Sequence, residues 1–290
     1  MQAADVTTSS PTSVEAGVAA ARKRIRRRRM LIITLRVVFG VGMLVLWEIL
    51  SRTKTIDPFF FGRPSDVGKQ LWTWQTKGTA TGPLWQQVWV TIKEALIGFA
   101  AGVIGGVIVG VALGRVRMLS DVFGPYIKAA NSIPRIVLGS LFVIWFGLGL
   151  TSKVALAFVL VFFVVFFNAF QGVREVDELV VANARILGAN RRQVTSQVVV
   201  PSALTWIIAS MHTSFGFAIV GAVVGEYLGS AHGLGNMIAV AQGTFNPNGI
   251  YGAMFILTTV ALVAEYLITH LENRLISWRP RRRDELASHI

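Results

Sequence analysis

Residues 154–173 carry no charged side chain, and neither do residues 95–114, between Glu94 and Arg115. About twenty apolar residues is the length one α-helical bilayer crossing needs, and a soluble domain of this size has little use for two such runs. Four more apolar runs, at 31–50, 124–150, 203–225 and 250–269, bring the expected number of spans to six. The composition agrees: 53% of the 290 residues are hydrophobic, 15% are charged and the mean hydropathy is +0.58, which excludes an ordinary soluble globule. The expected fold class is therefore all-α, a polytopic membrane protein with about six transmembrane helices.

Charge sets the orientation. Lys and Arg outnumber Asp and Glu by 28 to 15, and in a membrane protein that excess marks topology before it marks nucleic acid. Seven of the eight residues 22–29 are basic. They precede 31–50 as the n-region of a signal peptide would, but the apolar run is too long for cleavage and no A-x-A-like site follows it, so an uncleaved first span is expected. Arg36 and Glu48, near its ends, can snorkel to an interface. Placing the N-terminus in the cytoplasm puts 22–29, the Arg115/Arg117 loop, the arginines of 174–192 and the Arg274 to Arg283 cluster on that same side, so both termini are expected there. The resulting division is a disordered basic tail over 1–30, a transmembrane domain over 31–273 and a second basic tail over 274–290. Cysteine is absent, which removes disulfides and thiolate chemistry.

Within the spans, Gly98, Gly102, Gly106, Gly110 and Gly114 recur every fourth residue, the spacing of a close-packing helix face. Residues 51–84 read as a polar linker holding a short helix over 66–76, capped by Ser65. Near the start of 124–150, Pro125 and Pro134 mark a kink or break. Asn131, Pro134 and Arg135 there are candidates for the floor of a translocation cavity, where an arginine suits an anionic substrate or simply marks topology. His212, halfway along an apolar span, either bonds a neighbouring helix or meets substrate. Glu226, a carboxylate at a span end, must find water or a partner, so it either gates an outer vestibule or lies at the headgroups. A Gly-rich loop is expected through 229–249.

The polar segment 175–201 interrupts this apolar order. Asp177 and Glu178 favour a helix start, Gly188 stops that helix, Asn190 with Gln193 forms a capping-box pair for a second one, and Pro201 ends it. Arg185, Arg191 and Arg192 stay exposed beside the apolar Leu179, Ile186 and Leu187. A DNA-binding helix-turn-helix does not suit a tether between two spans. An interfacial amphipathic loop and a docking element for a protein partner both remain open.

The spacing Ala184-x-x-x-Gly188, then nine residues, then Val198-x-Val200-Pro201 resembles the EAA loop of ABC-importer permeases: Glu-Ala-Ala, three residues, Gly, nine residues, Ile-x-Leu-Pro. Ala182 stands in place of the Glu and Asn183 in place of the first Ala. Over residues 58–278 the likeness extends to the nitrate, sulfonate and taurine-type permeases, through Arg63-Pro64-Ser65-Asp66-Val67, Ile133-Pro134, Phe146-Gly147-Leu148-Gly149, Val224-Gly225-Glu226-Tyr227, Gly233-Leu234-Gly235 and Leu271-Glu272-Asn273-Arg274-Leu275 before Trp278. The resemblance implies a permease subunit in a bacterial inner membrane that pairs with a second permease as a homodimer. It further implies substrate delivery by an extracytoplasmic binding protein and drive from two cytoplasmic ATPase subunits. Ala184, Arg185, Leu187, Gly188, Ala189 and Pro201 would then form the ATPase-coupling loop. The chain has no Gly-x-x-x-x-Gly-Lys-[Ser/Thr], so ATP and Mg would belong to the partner subunits, and this chain is expected to be neither an enzyme nor the holder of a cofactor or metal. His212, His232, His270 and His289 lack metal-ligand spacing. A secondary transporter or channel remains the rival reading.

Overall fold

A computed structural model describes residues 11–176 and 178–275. Among these residues it contains helices and turns and no strand. In chain order the helices are α1 (Pro11–Arg52), α2 (Pro58–Phe61), α3 (Pro64–Lys77), α4 (Leu84–Arg115), α5 (Arg117–Ser132), α6 (Val137–Phe146), α7 (Leu150–Arg174), α8 (Glu178–Ile186), α9 (Arg191–Val194), α10 (Val200–Leu228), α11 (Leu234–Gly243) and α12 (Pro247–Leu275). The chain divides into two compact units, residues 1–58 with 278–290, and Phe59–Ser277.

In the first unit, α1 is one helix of 42 residues that runs from the Ala-rich stretch through the basic run into the first apolar span. The tail expected to be disordered is therefore helical from Pro11 onward. Alanine, arginine and lysine are strong helix formers, and Pro11 stands at the first helical position, where its missing N–H costs nothing. Residues 1–10 and 276–290, with the C-terminal Arg cluster, Trp278 and His289, lie outside the described residues. Arg52 Nε donates to Glu48 Oε1 at 2.6 Å and closes the last turn.

The second unit is built on α4, α7 and α10. Among the described residues, five helices are long and apolar enough to cross a bilayer: Lys23–Arg52, Leu84–Arg115, Leu150–Arg174, Arg192–Leu228 and Pro247–His270. The expected crossing at 124–150 is instead a broken pair, α5 and α6, bent by 97°. Pro134 is the cause: it withholds a backbone donor and its ring disfavours helical geometry in Ile133, which is extended at ψ 129°. The total is thus five continuous spans, or six if the bent pair counts as one.

The glycine stripe of α4 lies against α7. A Cβ built on Gly102 would stand 2.6 Å from Cβ of Val161; on Gly106, 2.9 Å from the Phe162 carbonyl; on Gly110, 2.6 Å from the Phe166 carbonyl. Gly98 meets Ala157 and Gly114 meets Val173 in the same way. The two backbones touch along the whole length of the pair. Around that contact a core of Ala95, Val161, Val165, Phe215, Ala218, Ile219 and Ala222 joins α4, α7 and α10, with Leu257, Ala261 and Ala264 of α12 packed against it.

Helix α3 begins one residue before the expected Ser65 cap. Arg63 is its N-cap, extended at φ −139°, and Pro64 occupies the first turn with no side-chain cap. Proline's fixed φ starts the helix without a donor to satisfy. The Arg63 N–H instead reaches Asn248 Oδ1 at 3.0 Å, and Trp74 packs against Gly252, so α3 is fastened to α12.

The stripe gives a direct test. Gly106→Ala should lower the stability of the purified protein by about 1–3 kcal/mol through overpacking, whereas Gly216→Ala, with nothing within 4 Å of its built Cβ, should be neutral or slightly stabilising. Equal thermal midpoints for the two variants in detergent would remove the glycine contact as the reason for the α4–α7 approach.

Candidate functional site

The segment between α7 and α10 folds as two short helices about a left-handed glycine. Helix α8 ends in a Schellman motif: the Ala189 N–H donates to the Ala184 carbonyl at 3.0 Å and the Gly188 N–H to the Arg185 carbonyl at 3.0 Å. Gly188 carries the φ of +86° that this closure requires and that a side chain resists. The expected capping box is present. Asn190 Oδ1 accepts the Gln193 N–H at 2.9 Å, and Gln193 Oε1 accepts the Asn190 N–H at 2.8 Å. Two donors that would be orphaned at the start of α9 are thereby satisfied.

Pro201 does not end the second helix as expected. The chain runs from α9 through a π-turn, Thr195–Val199, directly into α10, and Pro201 sits in the first turn of that span. The Val200 N–H reaches back to the Thr195 carbonyl, five residues away. A wider turn gives the proline ring room where a tight α-turn would press it against the carbonyl four residues earlier. Arg115, at the end of α4, donates through Nη2 to Thr195 Oγ1 and ties this turn to the core.

The outer surface of this element is apolar at its tip. Ile186 is 81% and Leu187 87% exposed, with Leu179 and Val180 also exposed. Arg185, Gly188 and Arg192 are exposed beside them, while Ala184 and Ala189 are half-buried. Asp177 lies outside the described residues. Two fully exposed aliphatic side chains on a rigidly capped turn, ringed by arginines, make a surface suited to a cleft in another protein.

The residues read as pathway candidates fall in three places. Asn131, Pro134 and Arg135 stay together at the α5–α6 break: Arg135 donates to Asn131 Oδ1 and its guanidinium stands 5.0 Å over the Phe163 ring of α7. Such a cation–π contact orients the guanidinium plane without neutralising its charge. His212 is half-buried midway along α10. Glu226 faces neither a vestibule nor the headgroups, because it is 1% exposed.

Glu226 belongs to a polar cluster at the end of the spans farthest from the α8–α9 loop. Its Oε1 accepts from Thr91 Oγ1 at 2.7 Å and its Oε2 accepts the Gly235 N–H at 2.6 Å. Thr91 Oγ1 also accepts the Leu234 N–H at 2.9 Å, and Gln87 Oε1 accepts the Gly233 N–H at 2.7 Å. Three successive amides at the start of α11 are thus received by α4 and α10. A negative group there complements the helix dipole. This capping explains why 234–243, expected to be part of a Gly-rich loop, is helical. Gly233 and Gly235 are required by the approach: a Cβ on either would strike the Glu226 side chain, and Gly233 has φ +105°. Lys153 of α7, 0% exposed, donates through Nζ to the Leu148 carbonyl, and Glu94, 3% exposed, completes the group.

Gln87, Thr91, Glu94 and Lys153 were not among the expected site residues. Their signal was present: 87, 91 and 94 recur at the i, i+4, i+7 spacing of one helix face, and that face is otherwise apolar.

Residues 102–277 match the family described as the binding-protein-dependent transport system inner membrane component. The chain is 32% identical over 236 residues to the riboflavin transport system permease protein RibX of Chloroflexus aurantiacus, covering 81% of this chain and 87% of that one. It is 28% identical over 237 residues to the taurine transport system permease protein TauC of Escherichia coli, covering 81% and 86%. Among solved structures, the crystal structure of an amino acid ABC transporter with histidines matches with a TM-score of 0.52 at 18% identity, covering 65% of this chain and 90% of that chain; this is a likeness of fold.

Thr91 is the joint of the cluster. Thr91→Val leaves Glu226 Oε1 and the Leu234 N–H buried without partners, and should cost about 2–4 kcal/mol. Thr258→Val, whose exposed hydroxyl bonds only its own helix at the Met254 carbonyl, should cost little. Matching melting curves for the two would mean that the buried contacts do not hold α11.

Proposed function

The chain belongs to the binding-protein-dependent transport inner-membrane components, the permeases of ABC transporters, and from that premise we propose that the α8–α9 turn is the surface its ATPase subunits grip. The observation that carries this is the exposed Ile186–Leu187 tip on a turn fixed by Gly188, beside Arg185. Ala184, Arg185, Leu187, Gly188 and Ala189 form the contact in this reading, and Pro201 sets how the turn enters α10. The turn then lies in the cytoplasm with both chain termini, in keeping with the distribution of basic residues, and the membrane is the bacterial inner membrane. Two ATPase subunits bind ATP and Mg and supply the energy. A second copy of the chain completes the permease, and a binding protein on the opposite side delivers substrate.

The substrate in this reading is a small, anionic nutrient of the nitrate, sulfonate, taurine or aromatic and heterocyclic carboxylate class. The relative named for taurine transport supports that range, whereas riboflavin, for which another relative is named, is an uncharged heterocycle. The structure favours no single member of it.

Co-purification and uptake test the reading together. Arg185→Glu reverses a charge on the contact, and Gly188→Val forces a β-branched residue into the left-handed region. Each should reduce ATPase-subunit retention and substrate uptake at least tenfold while the permease itself still reaches the membrane. Undiminished retention and uptake in both would sink the docking assignment. Uptake by the purified chain alone in liposomes, driven by an ion gradient, would instead establish the secondary-transporter alternative.

A further inference from the structure

Helix α1 continues without a break from the basic run into the first span. Residues 31–50 carry the helix about 30 Å, the thickness of the hydrocarbon core. With that stretch in the core, Lys23 to Arg29 occupy the next ~10 Å of the axis, within and just beyond the headgroup layer. Lys23, Arg24, Arg26, Arg27, Arg28 and Arg29 are all exposed. At the helical period, Lys23 with Arg27, Arg24 with Arg28 and Arg26 with Arg29 stand on three different sides of α1, and Ile25 takes the remaining side. Arg36, also exposed, stands eleven residues beyond Ile25, almost whole turns away, and so shares that side. Helical side chains lean toward the N-terminus, so the long stem of Arg36 leads its guanidinium back to the same layer. The cations thus form a collar.

The helix supplies this collar with no counter-charge of its own nearby. No acidic residue stands between Glu15 and Glu48. Glu48 is about 28 Å along the axis from Arg29, and Arg52 already binds it. Like charges four residues apart destabilise a helix, so a run with cations at 23 and 27 and at 24 and 28 gains stability from anions outside the helix. The all-round arrangement says which anions fit. A protein cleft or a nucleic-acid groove meets a helix from one side, whereas headgroups surround a span completely.

We propose that the collar is a binding site for anionic phospholipid, in which the guanidinium and ammonium groups on every side of α1 pair with the phosphodiester oxygens of the surrounding headgroups. Acidic lipid is thereby gathered at this end of α1 and fixes the depth of the helix. The inference requires that α1 crosses the bilayer, and it is independent of what grips the α8–α9 turn.

Electron spin resonance of the full chain in phosphatidylcholine bilayers tests the site. Spin-labelled phosphatidylglycerol or spin-labelled phosphatidylcholine is added as the probe, and the motionally restricted fraction reads the lipid held at the protein surface. The expected result is a preference for phosphatidylglycerol that falls at about 1 M salt, where the screening length is about 3 Å. Three paired variants address the three sides: Lys23→Gln with Arg27→Gln, Arg24→Gln with Arg28→Gln, and Arg26→Gln with Arg29→Gln. Each keeps most of the basic run and with it the signal that orients the span. Each should lower the preference by about twofold or more, and all to a similar extent. An unchanged preference in all three overturns the site, and a loss confined to one pair overturns the collar, because it marks a one-sided contact. Arg52→Gln with Lys54→Gln, at the opposite end of α1, should leave the preference as it was; an equal drop there overturns the assignment to the basic run. Inorganic phosphate at a matching concentration should displace no lipid, and displacement would assign the collar to a soluble anion and overturn the proposal.

Discussion

Lipid tails are as apolar as leucine, so two helices in a bilayer gain nothing from hiding their side chains from it, and α4 and α7 are held by van der Waals contact and by what they place opposite each other. Glycine at every fourth position of α4 lets the α7 backbone come within touching distance over the full length of the pair. That closeness has consequences at both ends. At one end it brings Glu94 and Lys153 to the same level, where neither would survive alone in an apolar interior. At the other it places Arg115 beside the π-turn that leads into α10.

The polar cluster is costly to bury, and hydrogen bonds meet most of its polar atoms, with Gln87 Nε2 and Glu94 Oε2 left without one. A carboxyl and an ammonium taken from water need compensation by geometry as well as by charge, and breaking one partner leaves the others uncompensated. Here the compensation comes from backbone as much as from side chains. The amides of 233–235 and the carbonyl of Leu148 do work that ions or water would otherwise do. The cluster consequently holds the first turn of α11 in place.

Much of this architecture is legible in the sequence where local rules decide it. The bilayer-length runs announce the spans, the four-residue glycine period announces the packing face, and Asn190 with Gln193 announces the start of α9. Three features escape those rules, each because a distant partner decides it. Residues 234–243 look like a loop until Gln87, Thr91 and Glu226 cap them from other helices. Pro201 looks like a terminator until the π-turn before it absorbs its ring. Pro134, a kink or break by its sequence, is a 97° break, and the size of the bend goes with the packing of α6, whose Gly139 is set against Leu156 and Leu228. Glu226 was visible as an oddity, but only the fold shows that its oxygens point into the protein.

The second helix of the loop and the span α10 form one uninterrupted rod. The span from Arg192 to Leu228 is 37 residues, about 55 Å at the helical rise. The π-turn widens the helix, and the Val200 N–H returns to the Thr195 carbonyl. At the loop end, the capped Gly188 turn holds an exposed apolar tip against this rod; at the far end, Glu226 holds the first turn of α11. A force applied to Leu187 therefore has a short mechanical route into the rod, while α11 resists motion of its other end through three backbone hydrogen bonds received on α4 and α10. Because Gln87 and Thr91 are on α4 and Glu226 is on α10, any rotation of α10 against α4 must separate acceptors that now share one helix terminus. The seating of α11 thus opposes rotation of α10 against α4.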